Sequence, residues 1–359
     1  MSPATRSQKH LALVLEGPDG PFTLKELPTP TPKKGEVLVK VQSCGLNPAD
    51  WKIPKYKIIL TEFPGVLGFD IAGELVEVGE DVSNYEAGDR VFFQSQSYIE
   101  GGGFQQYSIA QASLVSKIPE SLSYDEASTL PVLIGTAYSG LYAEFPYGLG
   151  LVPPITDEGY GKYKDTPIFV TGGASTIGQG AIQFAKISGF SPIITTASLK
   201  NEEALKKAGA THVVDRSLSN DDIIAEIAKI TAGKQVQHVY DSVGSDITQK
   251  LSVDLLSQSG SGGTVAFGLP WLTVSEADYP SVKMAKIAAS PHLPQNFELF
   301  KSLYTSNKLS TWIKEGLIIP NRFEVLPGGL NGVGGGLKRL EADEVSRLKL
   351  VVHPQETSL

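Results

Sequence analysis

The clearest chemistry in this chain lies in Ile168-Phe-Val-Thr-Gly-Gly-Ala-Ser-Thr-Ile-Gly178, an apolar run that enters a turn of small and hydroxyl residues and leaves it in a helical stretch, Gln179–Ser188. At such a turn the backbone can approach a pyrophosphate closely, and the free amides at the helix start attract its negative charge. Counted from Gly173 the pattern is G-x-S-x-x-G, with Ser175 where the fingerprint usually has its middle glycine. A glycine-rich loop by itself is only a turn. With a strand before it and a helix after it, Gly173, Ser175, Thr176, Ile177 and Gly178 become candidate contacts to a dinucleotide.

The next apolar run, Ile193–Thr196, should end beside the adenosine ribose of such a ligand. A site that prefers NAD places Asp or Glu there to grip the 2′-hydroxyl. This chain has Ala197 and Ser198, then Lys200 and Asn201, and Arg216 follows the third run. An acid would repel a 2′-phosphate, whereas a hydroxyl, an amide and two cations can hold one, so the composition points to NADPH. The competing reading of Lys200 and Arg216 is as solvated surface charges. The fourth strand ends in Asp241-Ser-Val-Gly244 and the fifth in Phe267-Gly-Leu269. Ligands of a doubly wound sheet bind at the carboxyl ends of its strands, so Val243, Gly244, Gly268 and Leu269 should border the nicotinamide ribose. Gly244 and Gly268 also suit tight turns, which is compatible with backbone approach to a cofactor.

The elements that position these residues follow two rhythms. Leu11 to about Ser116 reads as short strands separated by Gly, Pro, Asn and Asp turns, namely Leu11–Leu15, Glu36–Ser43, Ile71–Val78, Arg90–Phe93 and Gln105–Ile109. From about Thr166 strands alternate with helical stretches: Ile168–Val170, Ile177–Ser188, Ile193–Thr196, Glu202–Ala208, His212–Val214, Asp221–Thr231, His238–Asp241 and Thr264–Phe267. That alternation predicts parallel βαβ units and a doubly wound sheet. Phe145–Pro167, rich in Pro, Gly and Tyr, has neither rhythm and is expected to be an ordered surface insertion. The tail returns to strand-like runs, Phe323–Leu326 and Lys349–His353, around a polar helix, Leu337–Glu344, and is expected to close the first domain.

Composition limits the alternatives. The 359 residues exceed one ordinary core, and a net charge of −8 without a basic block argues against a nucleic-acid partner. The single cysteine, Cys44, excludes an intramolecular disulfide and a thiolate-rich zinc lobe. Met1–His10 is polar and is followed by too short an apolar run for a signal-peptide core. No stretch approaches the roughly 20 apolar residues of a membrane span. The expectation is a cytoplasmic protein with no membrane partner.

The chain resembles the medium-chain dehydrogenase/reductase superfamily. The resemblance is carried by Cys44-Gly-Leu-Asn-Pro-Ala-Asp50, Gly68-Phe-Asp-Ile-Ala-Gly73 with Glu77-Val-Gly79, Gly88-Asp-Arg-Val91, Gly102-Gly-Phe-Gln-Gln-Tyr107, Lys117-Ile-Pro119, Thr136-Ala137 and the Thr171–Gly178 turn, in the expected order. It implies an α/β protein with a GroES-like irregular β-barrel catalytic domain, residues 1–135 and 310–359, and a doubly wound parallel-sheet Rossmann domain that binds NADPH, residues 136–309. Zinc alcohol dehydrogenases of this superfamily carry Cys where this chain has Asn47, and Gly-His-Glu where it has Gly68-Phe69-Asp70. An amide and a phenyl ring do not replace a thiolate and an imidazole. The five histidines, His10, His212, His238, His292 and His353, are scattered and none falls in a ligand spacing, so no metal site is expected.

The zinc-free branch is similar to quinone oxidoreductases and enoyl reductases, which transfer hydride from NADPH to the β-carbon of an activated double bond. More narrowly, Asn47-Pro-Ala-Asp50, the Pro-rich insertion and Ser198-Leu-Lys-Asn201 resemble fungal enoyl reductases that act in trans with polyketide synthases. The resemblance implies a small unsaturated carbonyl substrate, with an enoyl thioester on a polyketide-synthase carrier domain as the alternative. By position in the matched motifs, Asn47 would orient substrate or nicotinamide ribose, and Thr136 would contact the nicotinamide. Lys52 would stabilise an enolate or donate a proton if burial lowers its pKa, or else is a surface lysine in a loop with Lys55 and Lys57. Trp51 and Tyr56 would line a pocket or simply pack, and Asp50 would cap its loop. An alternative of another class is a non-catalytic protein that keeps the NADPH fold for binding alone.

Overall fold

The computed structural model describes residues 7–358 except 19, 59, 61, 97, 98, 259, 261 and 270. The first six residues of the polar amino terminus lie outside the described residues. The chain divides into two compact units, 1–132 with 320–359, and 133–319. In chain order the first unit contributes β1 (Lys9–Leu15), β2 (Phe22–Pro28), β3 (Glu36–Gly45), α1 (Pro48–Tyr56), β4 (Gly65–Val66), β5 (Asp70–Val78), β6 (Arg90–Gln94), β7 (Tyr107–Gln111), β8 (Ser116–Lys117) and α2 (Tyr124–Ala127). After α3 (Pro131–Tyr142), the second unit runs through β9 (Ile168–Thr171), α4 (Thr176–Ile187), β10 (Ile193–Ala197), α5 (Glu202–Ala208), β11 (His212–Asp215), α6 (Asn220–Ile230) and β12 (His238–Asp241). It continues with α7 (Asp246–Ser257), β13 (Gly263–Phe267), β14 (Val282–Lys286), α8 (Pro294–Thr305) and α9 (Lys308–Lys314). The chain then returns to the first unit in β15 (Phe323–Val325), α10 (Val333–Glu341) and β16 (Lys349–Val352).

In the first unit, β15-β16-β3-β5-β6-β8 form one sheet, with β7 also pairing β3, and β2-β1-β4 form a smaller one. The returning tail enters the larger sheet directly, since β16 pairs antiparallel with β3 through Val352 and Cys44, and Val351 and Gly45. Val37, Val39, Val41, Ile71, Phe93 and Val352 build the apolar core on these strands. Cys44 is fully buried in it, and burial pushes its thiol well above the usual range.

The second unit holds one parallel sheet in the order β11-β10-β9-β12-β13-β14. Its strand order reverses between β9 and β12, so the loops after these two strands flank the crevice where ligands of this architecture bind. Ile-Ile-Thr-Thr-Ala in β10 and Ile-Phe-Val-Thr in β9 are buried at every position, as strands covered by helices on both faces must be. The second junction falls after residue 319, ten residues later than the expected 309/310 division. The reason is α9, whose Trp312 meets Phe184 of α4 edge-on at 6.3 Å, and the following Ile319 N–H, which donates to Gln183. The Phe145–Pro167 insertion is tied to this unit as well: Tyr163 stacks on Phe190 at 4.6 Å, and its hydroxyl accepts from the Val152 amide. Among the described residues no helix is long and apolar enough to cross a membrane.

Candidate active site

In the second unit, the turn after β9 is shaped by what its glycines avoid. A Cβ on Gly173 would stand 2.2 Å from Thr195 Oγ1 and 2.9 Å from Ile182 Cδ1; one on Gly178 would stand 2.5 Å from the Gly172 carbonyl. Gly172 has φ +62° and Gly173 donates its amide to the Thr196 carbonyl, which holds the turn against β10. Ser175, the departure from the usual fingerprint, is the N-cap of α4: its Oγ accepts from the Gly178 amide at 3.0 Å and lies 3.0 Å from Ser242 Oγ. It leaves the amides of Thr176 and Ile177 in the open first turn of a helix, where a phosphate is favoured.

Asp241 organises the loop opposite. Its Oδ1 accepts from Thr171 Oγ1 at 2.5 Å and from the amides of Val243 and Gly244 at 3.0 Å each. One oxygen therefore joins the ends of β9 and β12. Buried Gln249 of α7 then links this loop to the next, donating to the Gly244 and Trp271 carbonyls and accepting from the Thr273 amide. Gly268 lies against Ile177, so Ile177, Val243, Gly244, Gly268 and Leu269 converge at the strand ends. Val243, Gly244, Leu269 and Trp271 line an open depression that continues onto Ser245, Asp246 and Ile247.

At the other end of the crevice, Ala197 pairs with Asp215 across β10 and β11, and the Arg216 amide donates to the Ala197 carbonyl. Ser198 and Arg216 therefore leave adjacent strand ends. Lys200 and Arg216 are exposed, whereas Asn201 is only 8 % exposed and so presents less to a ligand than its neighbours. Thr136 is buried in α3, where its carbonyl accepts from the Tyr240 hydroxyl of β12.

The first unit gathers a second cluster around the start of α1. Asn47 is the N-cap and its amide N–H donates to Asp50 Oδ2 at 2.7 Å, while Asp50 Oδ1 accepts from the Gly68 amide at 3.1 Å. Burial pushes the Asp50 carboxyl up to about 7, against the opposing pull of those two amides. Asn47 Nδ2 donates to Asp70 Oδ2 at 2.9 Å and approaches the Gly45 carbonyl at 3.4 Å; its Oδ1 accepts from Lys349 Nζ at 2.6 Å. Lys349 and Asp70 form a buried ion pair, and Asp70 Oδ1 accepts from the Val132 amide at 2.6 Å. The Asn47 side chain, expected to orient substrate or ribose, is thus engaged at both ends within its own unit.

Lys52 follows on α1, half-buried, with its Nζ 5.6 Å from the Trp51 ring; burial lowers its pKa. Lys55, by contrast, is exposed and paired with Glu341 of α10. Lys349 and Asp241 were not anticipated as site residues. Each had a signal: a lysine inside the apolar run Leu348-Lys-Leu-Val-Val352, and an acid closing an otherwise apolar strand.

Two family models match the chain, the alcohol dehydrogenase GroES-like domain over residues 33–120 and the zinc-binding dehydrogenase domain over 176–297. The chain is 30 % identical over 96 % of its length, and 99 % of the relative's, to a trans-enoyl reductase of Aspergillus flavipes. It is 37 % identical to a chloroplast envelope quinone oxidoreductase homolog of Arabidopsis thaliana over 53 % of this chain and 55 % of that one. Among solved structures, the CurK enoyl reductase shares the fold with a TM-score of 0.71 at 21 % identity, covering 97 % of this chain and 99 % of that one. The chain belongs to the medium-chain dehydrogenase/reductase superfamily and is an oxidoreductase whose Rossmann domain binds a nicotinamide cofactor.

The residues at the turn fit that cofactor: only glycine at 173 and 178 lets the turn pack this closely against Thr195, Ile182 and the Gly172 carbonyl, and the first turn of α4 offers amides to a phosphate. The zinc ion implied by the second model's description does not fit. Position 47 offers an amide, position 69 a phenyl ring, and Asp70 is already paired with an ammonium. Among the described residues no group of three or more His, Cys, Asp or Glu could hold a metal ion.

Proposed function

We propose that this protein is an NADPH-dependent, zinc-independent reductase of the carbon–carbon double bond in α,β-unsaturated carbonyl compounds. The observation that carries the reading is the Asn47–Asp70–Lys349 cluster. Asn47 and Asp70 lie in the two segments where zinc alcohol dehydrogenases carry their ligands, Lys349 joins them from β16, and the hydrogen bonds and charges of the three are mutually satisfied without a metal. NADPH, when bound, would supply the hydride for the β-carbon; the chain's residues would then have to stabilise charge on the carbonyl oxygen and deliver a proton to the α-carbon.

The chain's own part is to bind, orient and protonate. The amides of Thr176 and Ile177 hold the pyrophosphate, and Ser198, Lys200 and Arg216 hold the 2′-phosphate. Val243, Gly244, Gly268 and Leu269 border the nicotinamide ribose, and Thr136 lies on the nicotinamide side. Lys52 is the proposed proton donor: half-burial lowers its pKa toward the working range of a general acid, which the exposed, ion-paired Lys55 lacks. Asn47 takes a supporting role through Asp70 and Lys349.

The substrate is a free enone, enal or quinone, or an enoyl thioester carried by a polyketide synthase. The full-length likeness to the Aspergillus flavipes trans-enoyl reductase supports the thioester. A panel of enones, quinones and enoyl thioesters, with NADPH consumption as the readout and a metal chelator in a parallel series, tests the reading. Turnover that survives chelation is expected. NADPH binding without turnover on any of them would leave a binding protein, and loss of turnover on chelation would overturn zinc independence.

A further inference from the structure

Lys349 is buried, 302 residues from Asn47 in sequence, and set at the first position of β16. A buried ammonium is expensive unless paired and hydrogen-bonded, and removing a whole buried ion pair often costs little stability. Stability alone is thus a weak reason for Lys349 and Asp70 to face each other. Their geometry supplies a better one. The ammonium holds Asn47 Oδ1 and Asp70, Asp70 holds Asn47 Nδ2, and Asn47 caps α1.

Helix α1 needs such an anchor. It has nine residues, contains Pro54, and ends at Lys57 in the left-handed region with φ +54°. So short a segment with an internal proline has little helical stability of its own. Its far end is tied by the exposed Lys55–Glu341 pair, a type of contact worth little. Its near end is fixed by the buried cluster and by the Leu46 amide, which donates to the Leu350 carbonyl beside Lys349.

We propose that Lys349 is a positioning residue whose ammonium plays, at the junction of β3, β5 and α1, the part a bound cation would play. It fixes Asn47 and Asp70, and through them the first turn of the helix that carries Lys52. The kinetic half of this assignment rests on the reductase reading above; the structural half does not.

The test uses the full chain with Lys349→Met alone and with Lys349→Met and Asp70→Asn together. The single variant strands a buried carboxylate and is expected to melt far below the parent or fail to fold. The double variant removes both charges and keeps an acceptor for the Val132 amide, so it is expected to fold. In it, deuterium uptake over residues 46–57 should rise about tenfold while peptides from β6 and β7 are unchanged. Its kcat should fall about tenfold, with NADPH affinity within about twofold of the parent. Parent-like uptake over 46–57, or a rise shared equally by β6 and β7, would overturn the proposal. If the parent turns over no substrate, the reductase reading fails while the exchange comparison still decides the role of Lys349.

Discussion

Asp50→Asn isolates a large electrostatic cost in the first unit. The carboxyl is fully buried and its pKa rises from 3.8 to about 7, with burial the dominant cause. A difference of that size corresponds to about 4 kcal/mol. The folded protein holds this proton more tightly than the unfolded chain does. Its contribution is therefore fully present below pH 3.8 and is lost as the pH rises through about 7. Asparagine does not titrate, and it keeps one acceptor for the two amides, of Asn47 and Gly68, that Asp50 serves. The substitution adds a pH-independent loss of about 1–3 kcal/mol. The stability difference, parent minus variant, should thus fall by about 4 kcal/mol between pH 4 and pH 8. Urea titrations read by hydrogen exchange in peptides from β3 and β5 measure it without unfolding of the second unit entering the signal. A difference constant to within about 1 kcal/mol would refute the reasoning, because it would mean that the two amides offset the burial.

Gly173→Val should weaken NADPH binding by about tenfold or more, since the added Cβ would stand 2.2 Å from Thr195 Oγ1; fluorescence titration measures it. Asp241→Asn should stay within about twofold of parent affinity, because one oxygen takes all three donors and the amide can present an oxygen there, whereas Asp241→Ala should lose about tenfold. Ser198→Asp should shift preference from NADPH toward NADH by about tenfold or more in kcat/KM, by repelling the 2′-phosphate. Lys52→Met should lower kcat about a hundredfold. It should also abolish the fall in rate as pH rises through the lowered lysine pKa, because only the protonated ammonium can donate.

The second unit was the more legible half in sequence. Its strands are buried on both faces and so read as plain apolar runs, and Glu202–Ala208 and His238–Asp241 appear with the expected bounds. After β12, the strand at Thr264–Phe267 was read within one residue, but α7 and β14 were harder. The Asp246–Ser257 helix carries polar residues at buried positions, including Gln249, and β14 is Val-Lys-Met-Ala-Lys, with both lysines exposed and no simple alternation of burial. β2 escaped for a similar reason, since Phe22–Pro28 has no buried position and is defined only by its pairing with β1. The turn residues were found because Gly and Ser at a strand-to-helix junction are local signals. Lys349 and Asp70 were not found as a pair, because nothing local links residues brought together by β16 pairing with β3.

Both units solve the same physical problem with opposite chemistry. In each, a buried acid at a strand end collects loops from distant parts of the chain: Asp70 at the start of β5, Asp241 at the end of β12. Asp241 meets neutral donors, a hydroxyl and two amides, all at Oδ1, at the mouth of a site that takes an anionic cofactor. Asp70 meets an ammonium and is neutralised as a pair, which leaves its cluster without net charge beside a carboxyl, Asp50, that burial keeps partly protonated near neutrality. A site built this way has no strong local anion to hold a metal, and Lys52 remains as a half-buried cation on the helix that the pair anchors. Protonation of an enolate needs such an acid, whereas oxidation of an alcohol needs an acceptor for its proton. Lys52, as a half-buried cation on this anchored helix, is the acid that the proposed double-bond reduction requires.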